Sequence, residues 1–309
     1  MPATQHRRAF LKHSALAASG LVVAGGAPFA TSTARAIEPI ARDGKPFFKF
    51  SLAAYSYRDL LQAKPPQSKL SLEDFIADCA KMNLHGTELT SYYFPPEPTA
   101  DYLRHLKQLC FRLGLDVSGT AVGNDFCHPA GAERDRQIKD VKNWVDRAEI
   151  LGAPVIRIFS GHPHDTSEEE ARRLCVAATE ECCEYAGQHG VYLALENHGG
   201  LTTTCDGMLE LVRAVKSPWF GVNLDTGNFH GADVYGDLAR LAPYAVNVQV
   251  KVSISDAQGR RQHADFRRLA QILTDAGYRG YVVLEFEENE DPRVACPRYL
   301  DELRAAFAG

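Results

Sequence analysis

The sequence predicts a single (β/α)8 barrel, and three observations carry that prediction. From residue 47 onward short β-rich runs alternate with helical patterns, eight of each. Four runs in the second half end in a metal-binding side chain: Glu196 in VYLALENHGG, Asp225 in FGVNLDTGN, Gln249 in AVNVQVKV and Glu285 in YVVLEFEEN. These four recur at intervals of 29, 24 and 36 residues, a spacing that one strand, one helix and two loops fill in a parallel α/β barrel.

The strand runs, in order, are FKFSLAAYS, GTELTS, DVSGTAV, PVIRIFS, VYLALEN, FGVNLDT, AVNVQVKV and YVVLEFE. The intervening patterns predict helices near 71–83, 99–113, 132–151, 167–189, 205–216, 233–242, 264–277 and 293–307. Ser167 followed by Glu170 reads as a capping box, and Gly114, Gly152 and Gly190 read as helix ends. The run Ala276-Gly277-Tyr278-Arg279-Gly280 turns the chain into the eighth strand. The acidic run Glu168-Glu169-Glu170 complements a helix dipole and takes no catalytic role.

Ahead of the barrel, residues 1–36 read as a twin-arginine-type export signal. Arg7 and Arg8 are followed by Phe10, Leu11 and Lys12, then by a short Ala/Gly/Val-rich run closing on Ala34-Arg35-Ala36. That run is too short and too rich in glycine for a stable membrane span, so cleavage is expected, with a periplasmic or extracytoplasmic location. The mature chain, 37–309, has 273 residues and reads as one domain with no linker. Removing the leader's four positive charges takes the net charge from −5 to about −9, which excludes nucleic acid as a natural partner. The eight cysteines include no CxxC pair and fall mainly in apolar helical stretches, so they read as small buried hydrophobes. Oligomeric state is not legible.

Side chains alternate across a strand, so Glu196 shares a face with His198, Asp225 with Asn223, Gln249 with Lys251 and Glu285 with Glu287. In barrels of this kind the active site lies at the C-terminal ends of the strands. Two glutamates, an aspartate and a glutamine oxygen offer hard donors, suited to one Mn²⁺ or Mg²⁺, with Co²⁺ or Zn²⁺ as further candidates. An alternative is that they are barrel-interior polar residues paired with Lys251, Arg157 and His198. It explains poorly why three carboxylates converge, since an uncompensated cluster is costly to bury.

On these motifs, with the DF…L…AGYRGY run leading into the last strand, the chain resembles the xylose isomerase-like TIM barrel superfamily, in particular its sugar phosphate isomerase/epimerase group. The resemblance covers nearly all of residues 47–307. It implies that Glu196, Asp225, Gln249 and Glu285 bind one divalent metal and that Glu196 and Glu285 act as base and acid. It implies a metal-dependent sugar isomerase or epimerase working by proton transfer beside a carbonyl, through an enediolate. The chain departs from the commoner pattern at Gln249, where histidine is usual, and at Asn228, where epimerases often carry a substrate-binding histidine. Gln249 shifts the preference toward harder metals.

Around the metal, Glu88, Arg157, His198, Asn228 and Lys251 are expected to serve the substrate or to support the ligands. Lys251 would stabilise an oxyanion or neutralise Asp225; Arg157 would form an ion pair inside the barrel or contact substrate. Tyr55, Tyr92 and Tyr93 can stack on a sugar ring. His162 and His164, in the GHPHD loop after the fourth strand, can cap the site or supply a further metal ligand, but they read as solvated and stay outside the metal set. Two rival functions remain: a metal-dependent lyase or hydrolase of keto-glycosides acting by β-elimination, and a non-catalytic carbohydrate-binding barrel. The endonuclease branch of the superfamily is excluded by the acidic charge and the missing ligands. The expected partner is a small sugar or glycoside.

Overall fold

Each of the eight strand runs forms a strand in the computed structural model, which describes residues 37–61 and 70–308. The leader expected over 1–36 lies outside the described residues. In chain order the strands are β1 (Phe47–Ala53), β2 (Gly86–Thr90), β3 (Asp116–Ala121), β4 (Val155–Ile158), β5 (Tyr192–Glu196), β6 (Phe220–Asp225), β7 (His230–Gly231), β8 (Ala245–Val250), β9 (Ser253–Asp256), β10 (Arg261–His263) and β11 (Arg279–Leu284). All but β7, β9 and β10 pair in parallel and close into one barrel, in the order β1-β11-β8-β6-β5-β4-β3-β2.

The helices outside it are α1 (Arg58–Leu61), α2 (Leu72–Lys81), α3 (Ala100–Arg112), α4 (Ala132–Leu151), α5 (Glu168–Gln188), α6 (Cys205–Ala214), α7 (Val234–Leu241), α8 (Phe266–Asp275) and α9 (Pro292–Phe307). Apart from the single-turn α1, they lie within about two residues of the expected spans. None among the described residues is long and apolar enough to cross a membrane. At α5 the capping box is only half formed: Ser167 Oγ accepts from Glu170 N, but the Glu170 carboxylate pairs with Arg173 instead of returning to the cap. A complete box opens α2, where Ser71 and Asp74 cap each other. All eight cysteines are buried and unpaired.

Period-two alternation divides the barrel wall. On β6, Val222 and Leu224 face the helices while Asn223 and Asp225 face the barrel axis; on β8, Val248 and Val250 face out while Asn247 and Gln249 face in. The outward residues are 0–1% exposed, and removing such a side chain from water contributes about 1.5–3 kcal/mol. Branched apolar side chains ordinarily fill a barrel interior, yet here its upper part is polar. That inversion locates the site.

One element was not expected. The connection from β8 to α8 is long enough to carry a hairpin, β9 with β10, which turns through Gly259 at φ +72° and joins β7 in a three-stranded sheet. Its SISD and RQH runs are too short and too polar to read as strands from sequence alone.

Candidate active site

Glu196 ends β5 inside the barrel mouth, 3% exposed. Its Oε2 accepts from Asn223 Nδ2 at 2.8 Å and lies 3.1 Å from Arg157 Nε, an ion pair in distance although the N–H is not aimed at the oxygen. Its Oε1 accepts from Asn228 Nδ2 at 3.2 Å. Arg157 is held by the Val122 carbonyl (3.0 Å) and packs its guanidinium over the Phe159 ring at 3.9 Å.

Lys251 follows β8 directly and puts its ammonium 2.7 Å from Glu285 Oε2, 2.8 Å from Glu287 Oε2 and 3.6 Å from Asp225 Oδ2. Asp225 ends β6 opposite Gln249. Its backbone is stapled to the end of β5 by the Asn197 amide, which accepts from Asp225 N and donates to Asp225 O. Asp225 Oδ1 accepts from Gly227 N, while Oδ2 is buried with no hydrogen bond. Gly227 admits this arrangement because a Cβ there would meet the Lys251 side chain at 2.6 Å.

Beneath these groups lies an amide layer. Asn223 Nδ2 donates to Gln249 Oε1 (2.6 Å) as well as to Glu196, and Asn223 Oδ1 accepts from Asn247 Nδ2 (2.8 Å). Gln249 Nε2 donates to Glu88 Oε1 at 2.9 Å and reaches Glu285 Oε1 at 3.5 Å. Glu88 sits in the middle of β2 and not at its end; its other oxygen accepts from Asn247 Nδ2 at 3.3 Å. In this arrangement Glu88 holds the amide of Gln249 from below.

Burial dominates the electrostatics. It raises Glu88 to about 7, with the Glu285 charge adding to the rise. It also raises Glu196 to about 7, against the opposing charge of Arg157, and lifts Asp225 well above the ordinary range despite Lys251. Burial pushes Glu285 up as well, but the charge and hydrogen bond of Lys251, with the charges of Arg157 and His198, together outweigh it and hold that carboxyl below its usual value. Lys251 itself is desolvated, yet Asp225, Glu285 and Glu287 raise it well above an ordinary lysine. Two carboxyls facing one mouth thus have their pKa values shifted in opposite directions.

His198 stands exposed at the rim with its ring 4.3 Å from that of Phe159; partial burial, then Arg157 and Lys251, lower its pKa. The Tyr93 hydroxyl is buried without a partner, and burial, then Tyr55 and Glu285, raise its pKa. Asn197, Asn223 and Asn247 were not among the site residues read from sequence. Asn223 and Asn247 carry a usable signal, since each stands two residues before a candidate ligand and so shares its face.

A divalent cation suits the charge of this residue set on two grounds, although Glu196, Asp225 and Glu285 do not bring one oxygen each to within 4.8 Å of one another. Four buried carboxylates (Glu88, Glu196, Asp225, Glu285) face two buried cations, Arg157 and Lys251, leaving two negative charges to be met by protons or by an ion. Among the buried carboxylates of the site, Asp225 presents an oxygen, Oδ2, that is buried without a hydrogen bond. Gln249 must turn its amide over to offer oxygen, because its NH2 faces Glu88 and Glu285. Among the described residues, only Asp125, His128 and His164 bring one His, Cys or carboxylate donor atom each to within 4.8 Å of one another. His164 is exposed, as expected, but it belongs to a donor cluster outside the metal set read from sequence.

A closed parallel barrel with carboxylates at the C-terminal ends of its strands defines a (β/α)8 protein. The chain belongs to the xylose isomerase-like TIM barrel family, whose profile matches residues 76–303. Similar solved structures include D-psicose 3-epimerase from Clostridium cellulolyticum H10, 17% identical, with 84% of this chain and 99% of that one covered at a TM-score of 0.70. L-ribulose 3-epimerase is also 17% identical, with 85% and 95% covered and a TM-score of 0.70. The 3-keto-D-glucoside 4-epimerase of E. coli is 16% identical, with 84% and 99% covered and a TM-score of 0.67. At these identities the likeness establishes the fold alone. No curated protein matches the chain in sequence.

Proposed function

We propose that the protein is a sugar isomerase or epimerase that moves a proton beside a carbonyl, with Glu196, Asp225, Gln249 and Glu285 holding one divalent cation, Mn²⁺ or Mg²⁺. The observation that carries this reading is the pairing of Glu285 with Lys251 on one strand end and of Glu196 with Arg157, Asn223 and Asn228 on another. It places two differently poised carboxyls around one opening. Family membership and epimerase neighbours of the same fold support it.

Glu285, kept ionised by Lys251, takes the proton from the carbon next to the carbonyl, and Glu196 returns one to the planar enediolate. A divalent ion held there supplies positive charge against the negative charge that develops on the substrate oxygens. Asn228, the Tyr93 hydroxyl and the His198–Phe159 wall face the sugar. Arg157 and Lys251 both pair with carboxylates, which favours a neutral sugar over a phosphorylated one. The same proton abstraction in a keto-glycoside would expel a glycosidic oxygen, and the extracytoplasmic location we infer from the leader suits that second substrate class.

The test is solvent deuterium incorporation into ketoses and keto-glycosides by Mn²⁺-loaded protein. Exchange at the carbon next to the carbonyl, lost by at least about 10³-fold in a folded Glu285→Gln variant, is expected. Wild-type exchange in that variant removes the assignment of the base. Binding without exchange in the wild type marks a carbohydrate-binding barrel.

A further inference from the structure

Asp125, His128 and His164 stand on two loops at the barrel rim, one following β3 and one following β4. The loops are zipped together: Val122 N donates to Arg157 O, Asn124 exchanges two bonds with the backbone of Phe159, and Phe126 N donates to Ser160 O. This presents Asp125 to the second loop in a fixed pose. Its Oδ1 accepts from Cys127 N at 2.9 Å, while Oδ2 accepts from His162 N at 3.3 Å and meets His164 Nε2 at 3.1 Å. Gly161, at φ +90°, makes room, for a Cβ there would fall 1.9 Å from Asp125 Oδ1.

The His128 ring stacks on that of His164, centroids 3.8 Å apart and planes 14° from parallel, and Glu133 Oε1 stands 3.8 Å from His128 Nε2. A plain Asp–His hydrogen bond accounts for Asp125 and His164. It does not account for a second imidazole brought to the same point, nor for a carboxylate oriented in advance by two backbone amides. Two imidazoles and one carboxylate are the donor set of a first-row divalent ion that keeps a position open for water.

The geometry points to a second divalent-metal site, of zinc type, at Asp125, His128 and His164, separate from the carboxylate cluster in the barrel mouth. Zn–N bonds of about 2.0–2.1 Å require the rings to splay from their stack, a rotation open to the half-exposed His164 on its loop. The ion clamps the two loops. Those loops carry Phe159, on which Arg157 and His198 pack, so the clamp stiffens one wall of the mouth.

The experiment titrates Zn²⁺ alone into the full-length Asp225→Asn protein, in which the central cluster has lost a donor, and into the same protein carrying His128→Ala and His164→Ala. One tightly held zinc per chain in the first, lost in the second, is the expected result. Equal zinc content in the two, or none in either, overturns the site. In the wild-type protein, the ¹⁵N resonances of His128 and His164 shift on zinc addition; unchanged resonances overturn the proposal without relying on any variant's folding. Retention of manganese by the central cluster is read separately, so the failure of one site is not the failure of the other.

Discussion

Lys251 and Glu285 form the shortest ion pair in the barrel mouth, 2.7 Å from Nζ to Oε2, and the ammonium is shared with Glu287 at 2.8 Å. Because this cation opposes burial in setting the charge of Glu285, Lys251→Met should raise the carboxyl's pKa. The acidic limb of the pH dependence of kcat/KM then moves upward, and the rate at pH 7 falls by about 10²–10⁴-fold. An unmoved limb removes Lys251 from control of the base.

The Glu88 carboxyl makes a separate prediction about stability. Burial raises its folded-state pKa to about 7 from an ordinary value of 4.5, so the fold favours the protonated form. The contribution is fully present below about pH 4.5 and is lost as pH rises through about 7, amounting to about 3 kcal/mol. Glu196 acts in the same direction. Denaturant unfolding of chelator-treated protein between pH 4.5 and 8 should show stability falling, with a shallower fall in Glu88→Gln. An identical slope in the variant contradicts the account.

Asn223 ties the amide layer together, donating to Glu196 and Gln249 and accepting from Asn247. Asn223→Ala leaves those buried groups short of partners and should lower stability by about 1–3 kcal/mol. Asn228→Ala, which removes one bond at the mouth, should lower kcat/KM while leaving the denaturation midpoint nearly unchanged. Equal stability losses in the two variants would falsify this division of roles.

The barrel was legible because its signals are local. Strand runs alternate with helices, and the inward faces of β6 and β8 show up as Asn-x-Asp and Asn-x-Gln between valines and leucines. The ends of β5, β6, β8 and β11 were legible for the same reason. What sequence could not show was partnership across the barrel: that Gln249 directs its NH2 to Glu88, 161 residues away, or that Lys251 bridges three carboxylates from two strand ends. The Asp125–His128–His164 cluster was hidden because it joins two loops, where no periodicity marks a shared face. Its trace in sequence is the DFCH and GHPH runs after consecutive strands.

Metal content is the most direct test of the divalent cation proposed for the strand-end cluster. Wild-type and Asp225→Asn proteins would be loaded with Mn²⁺, dialysed and assayed by elemental analysis. The account predicts that the wild type keeps about one equivalent more than the variant; equal manganese in the two contradicts it.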